Sequence, residues 1–268
     1  SLYLVLVDRP QADDPCPIVP YAGETVECTD IYRPSAQANA DAVYTATQVD
    51  PETGEIEDET SVVGSSRTSA VYVSENAIYL SYTRSTTRFE MLTSYITGPG
   101  SDNFDADLVT EVEDLQELDI SQRAKQTELD VIIEDWLNSL DDAERDEMRE
   151  ALEEGMQEYV GENKRAMTTT GIVSIDIGDG LDVNTTGEVP GYPLNQWSMD
   201  EHDGHLRIAT TIPSVHGAES ENDVYVLDDD LEITGSVEGL GETERIYSVR
   251  FEGDIGYVVT FRQIDPFY

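Results

Sequence analysis

The sequence is poor in positive charge, and lysine is its scarcest cation. Of 268 residues, 15 are lysine or arginine and 57 are aspartate or glutamate, which gives a formal net charge of −42 at pH 7. The lysines are Lys125 and Lys164. Electrostatic binding of nucleic acid or of anionic lipid requires a basic face, and the sequence has no cluster of lysine and arginine. The composition therefore argues against nucleic acid and anionic membrane surfaces as partners.

Long hydrophobic runs are also missing. The sequence has no stretch of 18 apolar residues and therefore no candidate for a membrane-spanning helix. The apolar residues at the start, 2–7, are too few for the hydrophobic region of a signal peptide with its flanks. Because the chain starts at Ser1, we expect a processed protein or a fragment, and the missing leader says nothing about export.

The acidic residues extend from Asp8 to Asp265 and do not form a single tail. A charge of this size opposes the compact state, yet 38% of the residues are hydrophobic and fall in periodic runs, which argues against disorder. At molar salt the Debye length falls to about 3 Å, so most repulsion between separated carboxylates is screened. We therefore predict a folded protein of a halophilic microbe.

The two cysteines, Cys16 and Cys28, lie in a segment rich in proline and glycine. Such a segment suits a surface loop, and we predict a disulfide between them. Two unrelated buried thiols and half of a metal site are the alternatives, although no CxxC pair supports zinc. A disulfide implies an oxidising, extracellular setting. The N-x-S/T sequon at Asn184 is a candidate glycosylation site.

Three regions differ in their hydrophobic pattern. We predict β-structure with acidic loops over residues 1–98, a helical hairpin insertion over 99–167 and a strand-rich region over 168–268. In the first region, two short aromatic strands flank a turn at residues 74–77. In the second, apolar residues between Leu129 and Leu140 recur at spacings of three and four, and Ser139 is the predicted cap of the following helix.

The third region alternates strand-length apolar runs with turns rich in glycine and aspartate. Short strands at this spacing are typical of a sandwich, a barrel or a propeller. The predicted strands are 171–177, 196–199, 206–212, 224–227, 233–237, 246–251 and 256–261.

From Asn195 onward the sequence resembles a known family. Three consecutive hairpins agree with it in order and spacing: NQWSMDEHDGHLRIATT, DVYVLDDDLEITGSVEGL and ERIYSVRFEGDIGYVVTFRQIDPFY. The family is that of secreted archaeal and bacterial proteins with a C-terminal β-propeller, distantly related to WD-repeat propellers. The resemblance implies a propeller fold and export, and it implies no established activity.

The predicted fold is therefore mainly β with an α-helical insertion: a partial β-propeller of antiparallel blades plus a helical hairpin, with blades over 168–268. At about four strands per blade, the visible strands do not close a ring. We expect that the chain is truncated at its C-terminal end, or that another chain completes the structure.

Two aspartate-rich turns are candidate calcium sites, because Ca²⁺ prefers carboxylate and carbonyl oxygens. Neither turn has the spacing of an EF-hand, and such turns arise by chance in a chain this acidic. His202 and His205 flank one turn and are possible ligands of a transition metal, although a spacing of three across a turn gives no shared helical face. The calcium candidates are Asp176, Asp179, Asp182, Asp200 and Asp203.

Catalytic motifs are not apparent. The sequence has no GxSxG, no GxGxxG and no phosphate-binding loop, so we predict no catalytic or cofactor-binding residues, calcium apart. Arg250 and Arg262 lie on adjacent predicted strands near Asp265. We expect them to form buried ion pairs that fix the blade, and substrate binding is the alternative.

We predict a secreted or cell-surface module, not an enzyme, that binds a protein or a glycan at the cell surface or assembles with copies of itself. The alternative is a secreted hydrolase with a carboxylate site at the propeller channel. Propellers host both kinds of function, so the fold alone does not decide between them.

Overall fold

The computed structural model describes residues 1–11, 13, 15–21, 25–33, 41–178 and 180–262. The chain divides into two compact units. The first consists of Ser1–Arg84, Thr168–Pro213 and Ser220–Tyr268, and the second of Ser85–Met167 and Ser214–Glu219. The predicted division into three regions is a different partition and stays a prediction.

Within the described residues there are fourteen strands and four α-helices. The strands are β1 (Leu2–Asp8), β2 (Ile31–Tyr32), β3 (Ala42–Val49), β4 (Ile56–Gly64), β5 (Ala70–Val73), β6 (Ala77–Ser85), β7 (Thr168–Asp176), β8 (Val183–Pro190), β9 (Met199–His202), β10 (His205–Ile212), β11 (Glu221–Leu227), β12 (Ile233–Leu240), β13 (Arg245–Glu252) and β14 (Ile255–Phe261). The helices are α1 (Arg88–Ile96), α2 (Ala106–Glu117), α3 (Gln122–Ser139) and α4 (Asp142–Met167). The predicted mainly β fold with a helical insertion is confirmed.

The strands form four sheets that follow one another along the chain. The first has the order β1-β3-β4-β2, with β2 parallel to β4. The second and third have the orders β5-β6-β7-β8 and β9-β10-β11-β12, so each strand lies beside the next in sequence. β13 and β14 form a fourth, two-stranded sheet. The four helices lie between β6 and β7 in the sequence.

Each sheet packs its apolar face against the sheet that follows it. Ala46 and Val62 of the first sheet share a core with Leu80 and Val173 of the second. The second and third sheets share a core that includes Tyr79, Ile172, Leu206, Ile208 and Leu227. The third and fourth share a smaller core formed by Ala209, Ile246 and Val249. This serial face-to-face packing is the arrangement of blades in a propeller.

The turn between β9 and β10 shows how the sequence positions a hairpin. His202 pairs with His205, so Asp203 and Gly204 form a two-residue turn. Both have positive φ angles, 50° and 74°, as a type I′ turn requires. Aspartate and glycine tolerate this conformation, which explains why the sequence predicted the turn correctly.

Cys16 and Cys28 form the predicted disulfide, with their Cα atoms 5.5 Å apart. Inside the loop that it closes, the backbone groups of Ile18 and Val26 exchange two hydrogen bonds of 3.0 Å. Both side chains are buried against Val43 of β3. The disulfide therefore encloses a loop with a small core of its own.

The second compact unit, which we call the helical unit, contains four α-helices, where the sequence predicted a hairpin of two. α1 begins with a capping box, in which Thr87 and Glu90 each accept a hydrogen bond from the other's backbone N–H. The predicted cap of the last helix is wrong: the Ser139 hydroxyl donates to Trp136, and the Asp141 carboxylate accepts from the first turn of α4. None of the helices of the described chain is long and apolar enough to cross a membrane.

Candidate functional site

A groove of about 630 Å³ lies where the first strands of three successive sheets meet, and we call it the first-strand groove. Its lining residues are Tyr72 of β5; Leu194, Asn195 and Trp197 before β9; Met199 and Asp200 of β9; and Tyr247, Ser248, Val249, Arg250 and Phe251 of β13.

Two aromatic side chains of this groove are largely exposed: Trp197 at 69% and Tyr247 at 71%. Trp197 lies in a single turn of 3-10 helix, Gln196–Ser198, where the sequence predicted a strand. The Asn195 side chain caps this turn by accepting a hydrogen bond of 2.9 Å from the Trp197 N–H. The cap fixes the backbone at Trp197, and its indole lies in one groove with the ring of Tyr247.

Asp200, which lines the groove, is paired with Arg207. Arg207 Nε lies 3.1 Å from Asp200 Oδ2, and its Nη2 contacts the same oxygen. The side chains are 13% and 27% exposed, so the pair is largely withdrawn from solvent. The guanidinium also lies 4.9 Å from the ring centroid of Phe251, within the range of a cation–π contact. Asp200, a predicted calcium ligand, therefore serves as the counter-ion of an arginine.

Glu201, the next residue, ties β9 to the second sheet. Its carboxylate accepts hydrogen bonds from Ser74 Oγ at 2.5 Å, from Tyr79 Oη at 3.0 Å and from the Asn76 amide. The Glu201 N–H donates to Tyr72 Oη at 3.0 Å. This network fixes the position of Tyr72 in the groove. Sequence reasoning missed it, because its members are separated by more than a hundred residues.

Burial raises the pKa of both tyrosines in this network. For Tyr79, burial is the main cause and the neighbouring Glu201 carboxylate adds to it, so the pKa lies well above its usual 10.0. For Tyr72, burial outweighs the opposing hydrogen bond from the Glu201 N–H. Both phenols are therefore protonated at neutral pH, and Tyr79 acts as a hydrogen-bond donor.

The other calcium candidates lie apart from Asp200. Asp176 and Asp182 line a separate cavity of about 500 Å³, together with Glu75, Asn76 and Gly180. Asp179 lies outside the described residues. Asp203 is exposed in the β9–β10 turn, where its Oδ2 lies 3.7 Å from His202 Nε2. Calcium binding at these residues stays a prediction.

Two further predicted residues are on the surface. Arg250 is 75% exposed and its Nε lies 3.8 Å from Glu252, so the prediction of a buried ion pair at this residue is wrong. Its predicted partner, Asp265, lies outside the described part of the chain. Asn184 is exposed on β8, an edge strand of the second sheet. Its glycosylation stays a prediction.

Comparison with known proteins agrees with this architecture. An uncharacterized protein of Archaeoglobus fulgidus is 38% identical over 275 residues, which covers 100% of this chain and 43% of that protein. An uncharacterized protein of Methanocaldococcus jannaschii is 31% identical over 228 residues, which covers 84% of this chain and 36% of that protein. The chain thus spans less than half the length of these two relatives. A family model described as a beta propeller domain matches residues 6–268, and the chain therefore belongs to the β-propeller domain family.

Proposed function

We propose that this chain is a glycan-binding module of an exported or cell-surface protein from a halophilic microbe, with the first-strand groove as its binding surface. The observation that carries the proposal is the presence of two largely exposed aromatic side chains, Trp197 and Tyr247, in one groove. A sugar ring presents C–H groups on its faces and hydroxyls at its edge. Aromatic rings stack on the C–H faces of the sugar, and polar groups such as those of Asn195 and Ser248 form hydrogen bonds with its hydroxyls.

The charge of the protein favours a neutral ligand of this kind. With a net charge of −42, the chain repels anions, and molar salt limits the range of ion-pair recognition to about 3 Å. Stacking of apolar surfaces is not screened by salt. The groove volume of about 630 Å³ also falls within the ordinary range of small-ligand sites. A short oligosaccharide therefore fits the groove better than a flat protein surface does.

Two further observations bear on the cellular location of the protein and on the choice between binding and hydrolysis. The Cys16–Cys28 disulfide favours an oxidising environment outside the cytoplasm. Among the described residues that line the groove, Asp200 is the sole carboxylate, and Arg207 neutralises it. Glycoside hydrolysis ordinarily uses two carboxyl groups about 5–9.5 Å apart. This geometry favours binding over the alternative of a secreted hydrolase.

The test is calorimetric titration with a panel of neutral oligosaccharides in molar salt. We expect binding to at least one, with Trp197→Ala and Tyr247→Ala each weakening it tenfold or more. Tyr257→Ala is the matched control, because Tyr257 is an exposed aromatic of the same hairpin that does not line the groove. The fluorescence of Trp197, isolated in a Trp136→Phe background, provides a second readout.

Three results would overturn the proposal. The first is equal affinity in all variants, which would locate binding elsewhere. The second is no binding to any oligosaccharide of the panel. The third is release of shorter sugars during the titration, which would favour the hydrolase.

A further inference from the structure

We propose that His202, Asp203 and Asp254 form a binding site for a divalent transition metal of the zinc type. The site lies where the β9–β10 turn meets the β13–β14 turn, so that two successive sheets contribute ligands. It is independent of the proposed glycan binding.

The donor atoms converge at distances that suit one ion. His202 Nε2 lies 2.9 Å from Asp254 Oδ1 and 3.7 Å from Asp203 Oδ2, and the three donor atoms all lie within 4.8 Å of one another. Tetrahedral zinc, with bonds of about 2.0–2.2 Å, places its ligand atoms about 3.3–3.6 Å apart. The observed spacings bracket this value, so small side-chain rotations are sufficient for coordination.

Both carboxylates approach the same ring nitrogen, and this is the feature that points to a metal. Nε2 carries one proton at most, and a single N–H hydrogen bonds well to only one of two carboxylates. Among the described residues, His202 is the only cationic or ionisable basic group within ion-pair distance of Asp203 or Asp254. A divalent cation in place of the proton binds the imidazole and both carboxylates at once.

The two turns hold these ligands in place. Arg207 Nη1 donates a hydrogen bond of 2.8 Å to the Gly253 carbonyl, which joins β10 to the turn that carries Asp254. Because Arg207 is also bound to Asp200, it is committed to a structural role beside the site. The ligands therefore project from two hairpins that are already connected without a metal.

The ligand types indicate which ions the site prefers. Imidazole suits zinc, cobalt, nickel and copper, whereas calcium and magnesium prefer oxygen alone. Three protein ligands leave at least one coordination position for water. This set differs from the predicted calcium ligands: it keeps Asp203, excludes Asp200 and adds His202 together with Asp254, which lies 52 positions after His202 in the chain.

The test is titration of the chelator-treated protein with Zn²⁺ in molar sodium nitrate, where salt weakens binding to scattered carboxylates and chloride does not compete. We expect one tight site per chain. His202→Ala and Asp254→Asn should each weaken it tenfold or more. His216→Asn is the control, because His216 belongs to the helical unit and asparagine tolerates its positive φ angle of 43°.

A second measurement on the unaltered protein guards against variants that fail to fold. Paramagnetic Co²⁺, added at one equivalent, should broaden the imidazole C–H signals of His202. Wild-type Zn²⁺ affinity in a folded His202→Ala variant would overturn the proposal. So would unbroadened His202 signals, because the ion would then occupy carboxylates elsewhere.

Discussion

Glu201 accepts a hydrogen bond of 3.0 Å from the phenol of Tyr79, which links the third sheet to the second. Ser74 and Asn76 donate to the same carboxylate.

Glu201→Gln replaces one acceptor oxygen by a donor and leaves a hydroxyl or an amide without its partner. We expect the free energy of unfolding to fall by about 1–3 kcal/mol. Urea denaturation at constant salt measures this loss, and Glu232→Gln, at an exposed position, is the control. Equal losses in both variants would contradict the structural role of the network.

Alkaline pH should destabilise the protein through Tyr79. Burial, reinforced by Glu201, raises the pKa of its phenol above 10.0, so the folded state retains a proton that the unfolded state releases. The stability from this group is therefore complete below about pH 10 and is lost as the pH rises above that value. We expect Tyr79→Phe to show a shallower loss of stability above pH 10. The same pH dependence in wild type and variant would count against this assignment, and Tyr257→Phe, at an exposed tyrosine, controls for the loss of a phenol.

The Arg207–Asp200 pair should be costly to break from one side. Arg207→Met leaves a largely buried carboxylate uncompensated, and we expect a loss of about 3 kcal/mol or more. The double variant Arg207→Met/Asp200→Leu removes both charges and should recover most of the loss. Denaturation of the single and double variants gives the coupling energy. Additive effects would show that the two side chains act independently. The loss should persist at molar salt, because burial limits screening.

The Cys16–Cys28 disulfide should contribute to stability through the unfolded state. The bridge joins residues 12 positions apart, and the chain-entropy model gives about 3 kcal/mol for a loop of this size. We expect the double variant Cys16→Ser/Cys28→Ser to unfold at a lower temperature than the wild type. Reductant should lower the unfolding temperature of the wild type by the same amount. Reductant should leave the variant unchanged. An unaltered unfolding temperature in both experiments would show that the small core of the loop is sufficient.

Salt should raise the stability of the folded chain. Between about 0.1 and 1 M, the Debye length falls from about 10 to about 3 Å, which removes most repulsion among the 57 acidic residues. We expect the midpoint of thermal unfolding to rise over this range of sodium chloride. Sucrose, which strengthens burial without screening charge, separates the two effects. If sucrose raises the midpoint of thermal unfolding and sodium chloride does not, the result would contradict adaptation to high salt.

The sequence predicted local features well where one residue type controls the backbone. Asp203 and Gly204 give the β9–β10 turn, because both accept positive φ. β8 was missed, since residues 183–190 have two valines as their aliphatic residues and also contain a glycine and a proline, which weaken a strand pattern. Trp197 was assigned to a strand because aromatic residues favour strands, whereas the Asn195 cap decides the local structure.

The candidate site could not be predicted to the same degree. The first-strand groove joins Tyr72 to Trp197 and Tyr247, and their proximity depends on the order in which the sheets pack. The pattern of one strand holds no information about that order. His202 and Asp203 are neighbours in sequence, so the sequence places them in one turn, but Asp254 reaches them only through the fourth sheet.

The helical insertion has a consequence for the order of folding. β6 and β7 are neighbours in the second sheet, yet all four helices lie between them in the chain. Their pairing is therefore a contact of high sequence separation, which ordinarily slows folding because a long loop must close first. Within the helical unit, the Thr86 N–H donates a hydrogen bond of 2.8 Å to the Met167 carbonyl, so the ends of the insertion meet. An insertion whose ends meet shortens the open loop that must close before β6 pairs with β7.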